Sequence, residues 1–249
     1  MIEEHDMSEA QPTTSSATWR ELASYLLGGF GLFLVLGVGV GSLFRQLSIW
    51  VTLTSFALNI LCLAGAFYVL GVWQGPLSWE GLGLWPIRWR WSWLLIAGGV
   101  VVILLPVRSG LALLVQSLLG GIEGLQPRMD LLVPGNTFSW LNLLVMLIGG
   151  GILVPVSEEL YFRGLLHSWF MRHGRLNLWW RAAASALIFG LAHFDSAGVI
   201  VASFILGWVN ALLYEKTRSL WVPIAVHVLN NSLAFAFMYT ALALESLLL

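Results

Sequence analysis

Seven blocks of apolar residues follow one another along the chain, at about 22–43, 48–72, 91–118, 138–172, 178–195, 197–214 and 220–242. Each is of the length a helix needs to cross a bilayer, about 20 residues. The pattern predicts an all-α, polytopic membrane bundle of about seven transmembrane helices. The third and fourth blocks are longer than a bilayer requires. Pro106 and Arg108 mark where the third would break, and Gly149, Gly150 and Gly151 with Pro155 mark where the fourth would bend. Splitting either block would give an eighth span. No internal repeat is evident.

The polar stretches between the blocks set the organisation. Residues 1–17 are acidic and rich in Ser and Thr, and they lack the basic start and short apolar core of a signal peptide. A disordered cytoplasmic tail is expected over 1–20. Membrane helices should then fill 21–137, with an interfacial segment at 73–90 that is dense in Trp, Gly and Pro. A second unit is expected at 138–243. With seven spans, one side of the membrane holds Arg20, Arg88, Arg90, Arg172, Arg175, Arg181, Lys216 and Arg218, and the other holds Arg45 and Arg128. That bias puts the N-terminus in the cytoplasm and the C-terminus outside, with the cell membrane as the expected location.

Composition agrees with lipid as the solvent. Hydrophobic residues make up 58% of the 249 and charged residues only 10%, against about a quarter charged in soluble domains. A net charge of −1 gives no basis for a nucleic-acid partner. Many of the 14 tryptophans flank the apolar blocks, at the headgroup level that suits an amphipathic ring. The single cysteine, Cys62, lies inside a block and is read as a packed thiol.

Against that background the ionisable residues inside the blocks stand out, because charge in lipid is costly. The fourth block contains Glu158, Glu159 and Arg163. Glu159 and Arg163 are four apart with the acid first, so on a helix they share a face and can pair. Glu158 is turned about 100° from Glu159 and has no helical cation of its own, which suits it to general base work. A purely structural ionic knot would account for one acid and one base, but it leaves the second acid uncompensated. The fifth block ends in His193. The seventh carries His227 and Asn231 one turn apart, a pair that on its own reads as interhelical packing glue.

Together these residues supply the parts of peptide hydrolysis by an activated water. A carboxylate aided by a histidine would take the proton, and a donor pair such as His227 and Asn231 would hold the developing oxyanion. There is no Gly-x-Ser-x-Gly elbow and no His-Glu-x-x-His, so neither a serine site of that type nor a standard zincin site is supported. A metal site built from Glu and His on different helices stays open.

Three short motifs occur in order on separate blocks: Glu158-Glu159-Leu-Tyr-Phe-Arg163, Phe189-Gly-Leu-Ala-His193 and His227-Val-Leu-Asn-Asn231. The set resembles the signature of the CAAX protease and bacteriocin-processing (CPBP, or Abi) family, whose eukaryotic relatives are the type II CAAX prenyl endopeptidases. The resemblance covers about 140–240, and more loosely the Gly-Leu-Gly-Leu at 81–84. It implies an intramembrane endopeptidase in which Glu158 activates water with His193. His227 and Asn231 would stabilise the oxyanion, and Glu159 and Arg163 would support the site. It also implies a peptide or membrane-protein substrate. Members are described both as metalloproteases and as metal-independent, so a divalent ion such as zinc on Glu158, His193 and His227 is a cofactor the resemblance leaves undecided.

Two rival readings use the same residues. One is a non-catalytic immunity or scaffold protein that holds a peptide in the polar cavity. The other is a small transporter that relays protons, disfavoured by the lack of an inverted repeat. A depth mismatch also stands out: His193, late in a block that starts at the surface, would lie further toward the outside than Glu158 and His227.

Overall fold

A computed structural model describes residues 17–43, 48–86, 90–119, 132–133 and 138–248. The expected disordered tail therefore falls mostly on residues outside the described ones. Seven helices account for nearly all of the rest: α1 Trp19–Leu43, α2 Ile49–Trp73, α3 Trp91–Leu119, α4 Trp140–His173, α5 Leu178–Leu191, α6 Ala197–Thr217 and α7 Trp221–Leu248. No strand occurs among the described residues.

Six of these helices are long and apolar enough to cross a membrane, and α5 is a shorter apolar helix. Their outer faces expose large hydrophobics such as Leu95, Val102, Leu118 and Leu27, the pattern of a bundle whose exterior meets lipid. The chain is an integral membrane helix bundle. α3 and α4 both run unbroken. Pro106 sits inside α3 without ending it, and the glycine triplet falls in a π-helical turn of α4, Met146–Leu153.

Helix lengths resolve the depth mismatch. α4 has 34 residues and α5 has 14, or about 51 Å and about 21 Å at 1.5 Å per residue. The hydrocarbon core is about 30 Å thick, so α4 overshoots it while α5 falls short. Only the turn at 174–177 separates them. Glu158 lies fifteen residues before the end of α4, and His193 fifteen residues past the start of α5. The two therefore reach the same height, about 22 Å from that turn.

Helix ends are set by local chemistry. Thr18 caps α1 in a full capping box with Glu21, Asn177 caps α5 and Ser196 caps α6. The start of α1 docks on the end of α4, where Trp169 donates its indole N–H to the Thr18 carbonyl at 2.8 Å. Between α2 and α3 the described part of the interfacial segment packs on the head of α7: Leu220 N–H donates to the Leu82 carbonyl, and Ser219 Oγ to that of Gly83.

The core centres on the second half of α4, where Tyr161, Phe162, Arg163, Leu165, Leu166 and Trp169 are all fully buried. α2 and α7 pack against α4, while α6 packs against α5 and α3. These packings bring the three sequence motifs together.

Candidate active site

The site is built on one short stretch of α4. Residues Val154–Glu159 keep ordinary α-helical hydrogen bonding but are flanked by π-helical turns, Met146–Leu153 before and Leu160–His167 after. A π turn shifts the register of every side chain beyond it, and such turns are common where a helix carries function. Glu158 and Glu159 leave this stretch in different directions and enter different surroundings.

Glu159 is fully buried and held by two hydrogen-bond donors and one ion pair. Arg163 Nε lies 3.2 Å from Oε2, His227 Nδ1 donates to Oε1 at 2.7 Å, and Asn210 Nδ2 donates to the same oxygen at 2.9 Å. The expected pair at four-residue spacing is present, and the Arg163 guanidinium also lies 4.4 Å above the Phe189 ring. Asn210 comes from α6 and additionally donates to the Pro223 carbonyl, tying α4, α6 and α7 through one amide. Oε1 thus accepts two hydrogen bonds, while Oε2 meets Arg163 as an ion pair.

Glu158 faces elsewhere. Asn59 of α2 donates to its Oε1 at 3.3 Å, and Asn59 is in turn fixed by Ser157 Oγ, which donates to Oδ1 at 2.8 Å. His193 Nε2 lies 3.9 Å from Oε1, and His227 Nε2 lies 3.7 Å from Oε2. Both gaps exceed a direct hydrogen bond and suit a shared water.

The histidines are oriented from behind. His193 Nδ1 is 2.8 Å from the Phe189 carbonyl, which can only accept, so Nδ1 carries the proton and Nε2 offers a lone pair toward Glu158. His227 is clamped by Glu159 at Nδ1, leaving Nε2 as its working atom. Asn231 lies one turn along α7 from His227. Its amide donates to the Gly150 carbonyl at 3.3 Å.

Thus Glu158, His193 and His227 are gathered at one point, Glu159 and Arg163 stand behind them, and Asn231 is turned toward the glycine turn of α4. Asn59, Ser157 and Asn210 complete the arrangement. Asn59 and Asn210 are polar residues inside apolar blocks and Ser157 directly precedes Glu158, and that intramembrane polarity was the signal available in the sequence.

A cavity of about 250 Å³ opens beside Glu158 and His193. Its walls are mainly apolar, with Phe30, Phe33, Phe56, Leu63 and Phe162 among them, and Ser55, Asn59 and Asp195 add polar points. This is the volume of one large side chain with some backbone, in keeping with the apolar lining and few fixed polar groups of a ligand site.

The donor set suits a metal in kind but not in spacing. Two ligands about 2.1 Å from a tetrahedral ion lie about 3.4 Å apart, shorter than the 3.7 Å and 3.9 Å seen between the Nε2 atoms and Glu158. Among the described residues no group of three or more His, Cys, Asp or Glu side chains is close enough to hold a metal ion.

Residues 140–233 match the family model described as "Type II CAAX prenyl endopeptidase Rce1-like". A Bacillus subtilis (strain 168) protein named "Putative membrane peptidase YdiL" is 30% identical over 88 residues, which is 35% of this chain and 35% of that protein. The chain thus spans about a third of the length of the curated relative it matches. No solved structure matches the chain.

Proposed function

We propose, from the premise that residues 140–233 form an Rce1-like segment, that this chain is an intramembrane endopeptidase hydrolysing a peptide bond with water activated by Glu158. The observation that carries the reading is the convergence of Glu158, His193 and His227 from three helices, with each imidazole pinned at Nδ1 and directed at the carboxylate through Nε2.

In this mechanism a water seats over Glu158 between the two Nε2 atoms. Glu158 takes its proton as the oxygen attacks the scissile carbonyl, and His193 accepts a hydrogen bond from the same water to hold it in line. Asn59 keeps the Glu158 carboxylate turned to the cavity. With Nδ1 anchored on Glu159, His227 donates from Nε2 to the oxyanion as the tetrahedral intermediate forms. Asn231 becomes a second donor by turning its amide from the Gly150 carbonyl to the same oxygen. Glu158 returns its proton to the leaving amine.

The substrate is a peptide or membrane protein presenting a large apolar residue to the phenylalanine-lined cavity. In this reading the N-terminus lies in the cytoplasm and the C-terminus outside, the orientation favoured by the distribution of basic residues, with the cell membrane as the location.

The test is cleavage of apolar peptides in liposomes by the wild type, Glu158→Gln and His193→Ala, each with and without chelator. The proposal expects loss of turnover of about 10²–10⁴ for Glu158→Gln, the range for a general base, with peptide binding retained. Retained turnover in both variants overturns it. Loss on chelation that a divalent ion restores replaces glutamate-activated water with a metal site.

A further inference from the structure

Away from the site, three helix ends and the interfacial segment meet at one level: the starts of α3 and α7, the end of α6, and residues 78–86. Two cavities open there, and they share Glu80 and Trp85 in their walls. One, of about 660 Å³, is apolar and runs down between the segment and the bundle, lined by Trp79, Leu84, Val156, Leu160, Trp221 and Ile224. The other, of about 510 Å³, is lined by Arg90, Arg218, Thr217, Ser219, Gly83 and Trp93. A basic chamber thus adjoins an apolar one at a level rich in tryptophan, where headgroups lie.

The geometry points to a binding site for an anionic phospholipid, with its phosphate between Arg90 and Arg218 and an acyl chain in the apolar cleft. Three observations select this occupant. Charge comes first: among the described lining residues Arg90 and Arg218 stand against one carboxylate, Glu80, a net +1. An anion is favoured, and guanidinium groups match phosphate oxygens in geometry.

Second, Arg218 is held at φ 53°, in the left-handed region, where it ends α6 with its N–H donated to the Tyr214 carbonyl. Glycine or asparagine is usual at such a position. An arginine there accepts backbone strain, as residues at functional positions do, and its side chain is left exposed at the cavity. Third, the junction is tightly built. Gly83 has φ 65°, and a Cβ there would lie 2.3 Å from the Arg218 carbonyl oxygen. Only glycine lets the segment's backbone close onto 218–219, and that closure sets the apolar cleft beside the basic chamber.

The cleft is separate from the catalytic cavity. Val156 and Leu160 flank Glu159 in sequence but lie on the face of α4 turned away from Glu158. The lining of the cavity beside Glu158 shares no residue with this cleft.

The test is lipid binding by the purified, delipidated full chain in detergent, followed by native mass spectrometry. Phosphatidylglycerol should bind at least tenfold tighter than phosphatidylcholine of the same chains. Millimolar inorganic phosphate should not displace it, because the acyl chain contributes to the fit. Arg90→Gln and Arg218→Gln should each weaken phosphatidylglycerol about fivefold, as expected for one arginine near a membrane surface, with melting temperature unchanged. Ile224→Trp, which fills the cleft, should weaken both lipids alike. Equal affinity for the two lipids, unaltered binding in the double arginine variant, or full competition by inorganic phosphate would each overturn the assignment. These outcomes do not depend on whether the chain cleaves peptides.

Discussion

Glu158 and Glu159 are neighbours in sequence and enter different surroundings because a helix turns about 100° between them. One is held by Arg163, His227 and Asn210, and the other looks into a cavity beside the Nε2 atoms of His193 and His227. This predicts different failures on mutation. Arg163→Met leaves the Glu159 charge buried without its cation and should cost about 3–5 kcal/mol, read as a large drop in melting temperature. Asn59→Ala should leave the fold nearly intact but slow peptide cleavage about tenfold or more, since it removes one hydrogen bond to a charged group. An unchanged rate in that variant would place Asn59 outside the machinery. The pairing of Glu159 with Arg163 was legible because both partners lie on one helix face. Asn59 and Asn210 were not, because their partners lie 99 and 51 positions away. A single polar residue in an apolar block does not announce which helix it will meet.

At the scale of elements, the seven apolar blocks match the seven helices among the described residues, six of them of spanning length and one shorter, because apolar length is what the bilayer selects. The fifth element was drawn four residues too long: α5 ends at Leu191, and the Phe189-to-His193 motif finishes in the turn beyond it. That turn, with the overshoot of α4, brings His193 level with Glu158. The π-helical turns were not legible, since hydropathy carries no information on hydrogen-bond register. One of them, Leu27–Gly31 in α1, presents Gly29 to the Tyr161 ring, where a Cβ would come within 2.2 Å. Tyr161 there donates to the Tyr25 carbonyl and accepts from Phe30 N–H. Gly29→Val should therefore destabilise the chain by about 1–3 kcal/mol through overpacking. Thermal unfolding measures it, and a melting temperature equal to wild type would show that α1 can shift off α4.

At the scale of the molecule, the bundle wraps a buried ionic cluster in helices whose outer faces meet lipid. Low dielectric around the cluster strengthens each orienting contact and makes each unpaired charge costly. The sequence carried the membrane architecture and the identity of the ionisable cluster, since both follow from charge being rare in lipid. It did not carry the division of labour on His227, whose Nδ1 partner is Glu159. Orientation is a separate claim at this scale. A reporter fused to the C-terminus should read out on the non-cytoplasmic side, and a cytoplasmic readout would reverse the assignment made from the basic loops.

The central claim is that Glu158 is the working acid and Glu159 the supporting one. The most direct measurement is the peptide-cleavage rate of Glu158→Gln in liposomes, normalised to the folded fraction of the same sample. The account predicts a wild-type melting temperature and a normalised rate about 10²–10⁴ lower. A normalised rate within a few-fold of wild type would contradict it.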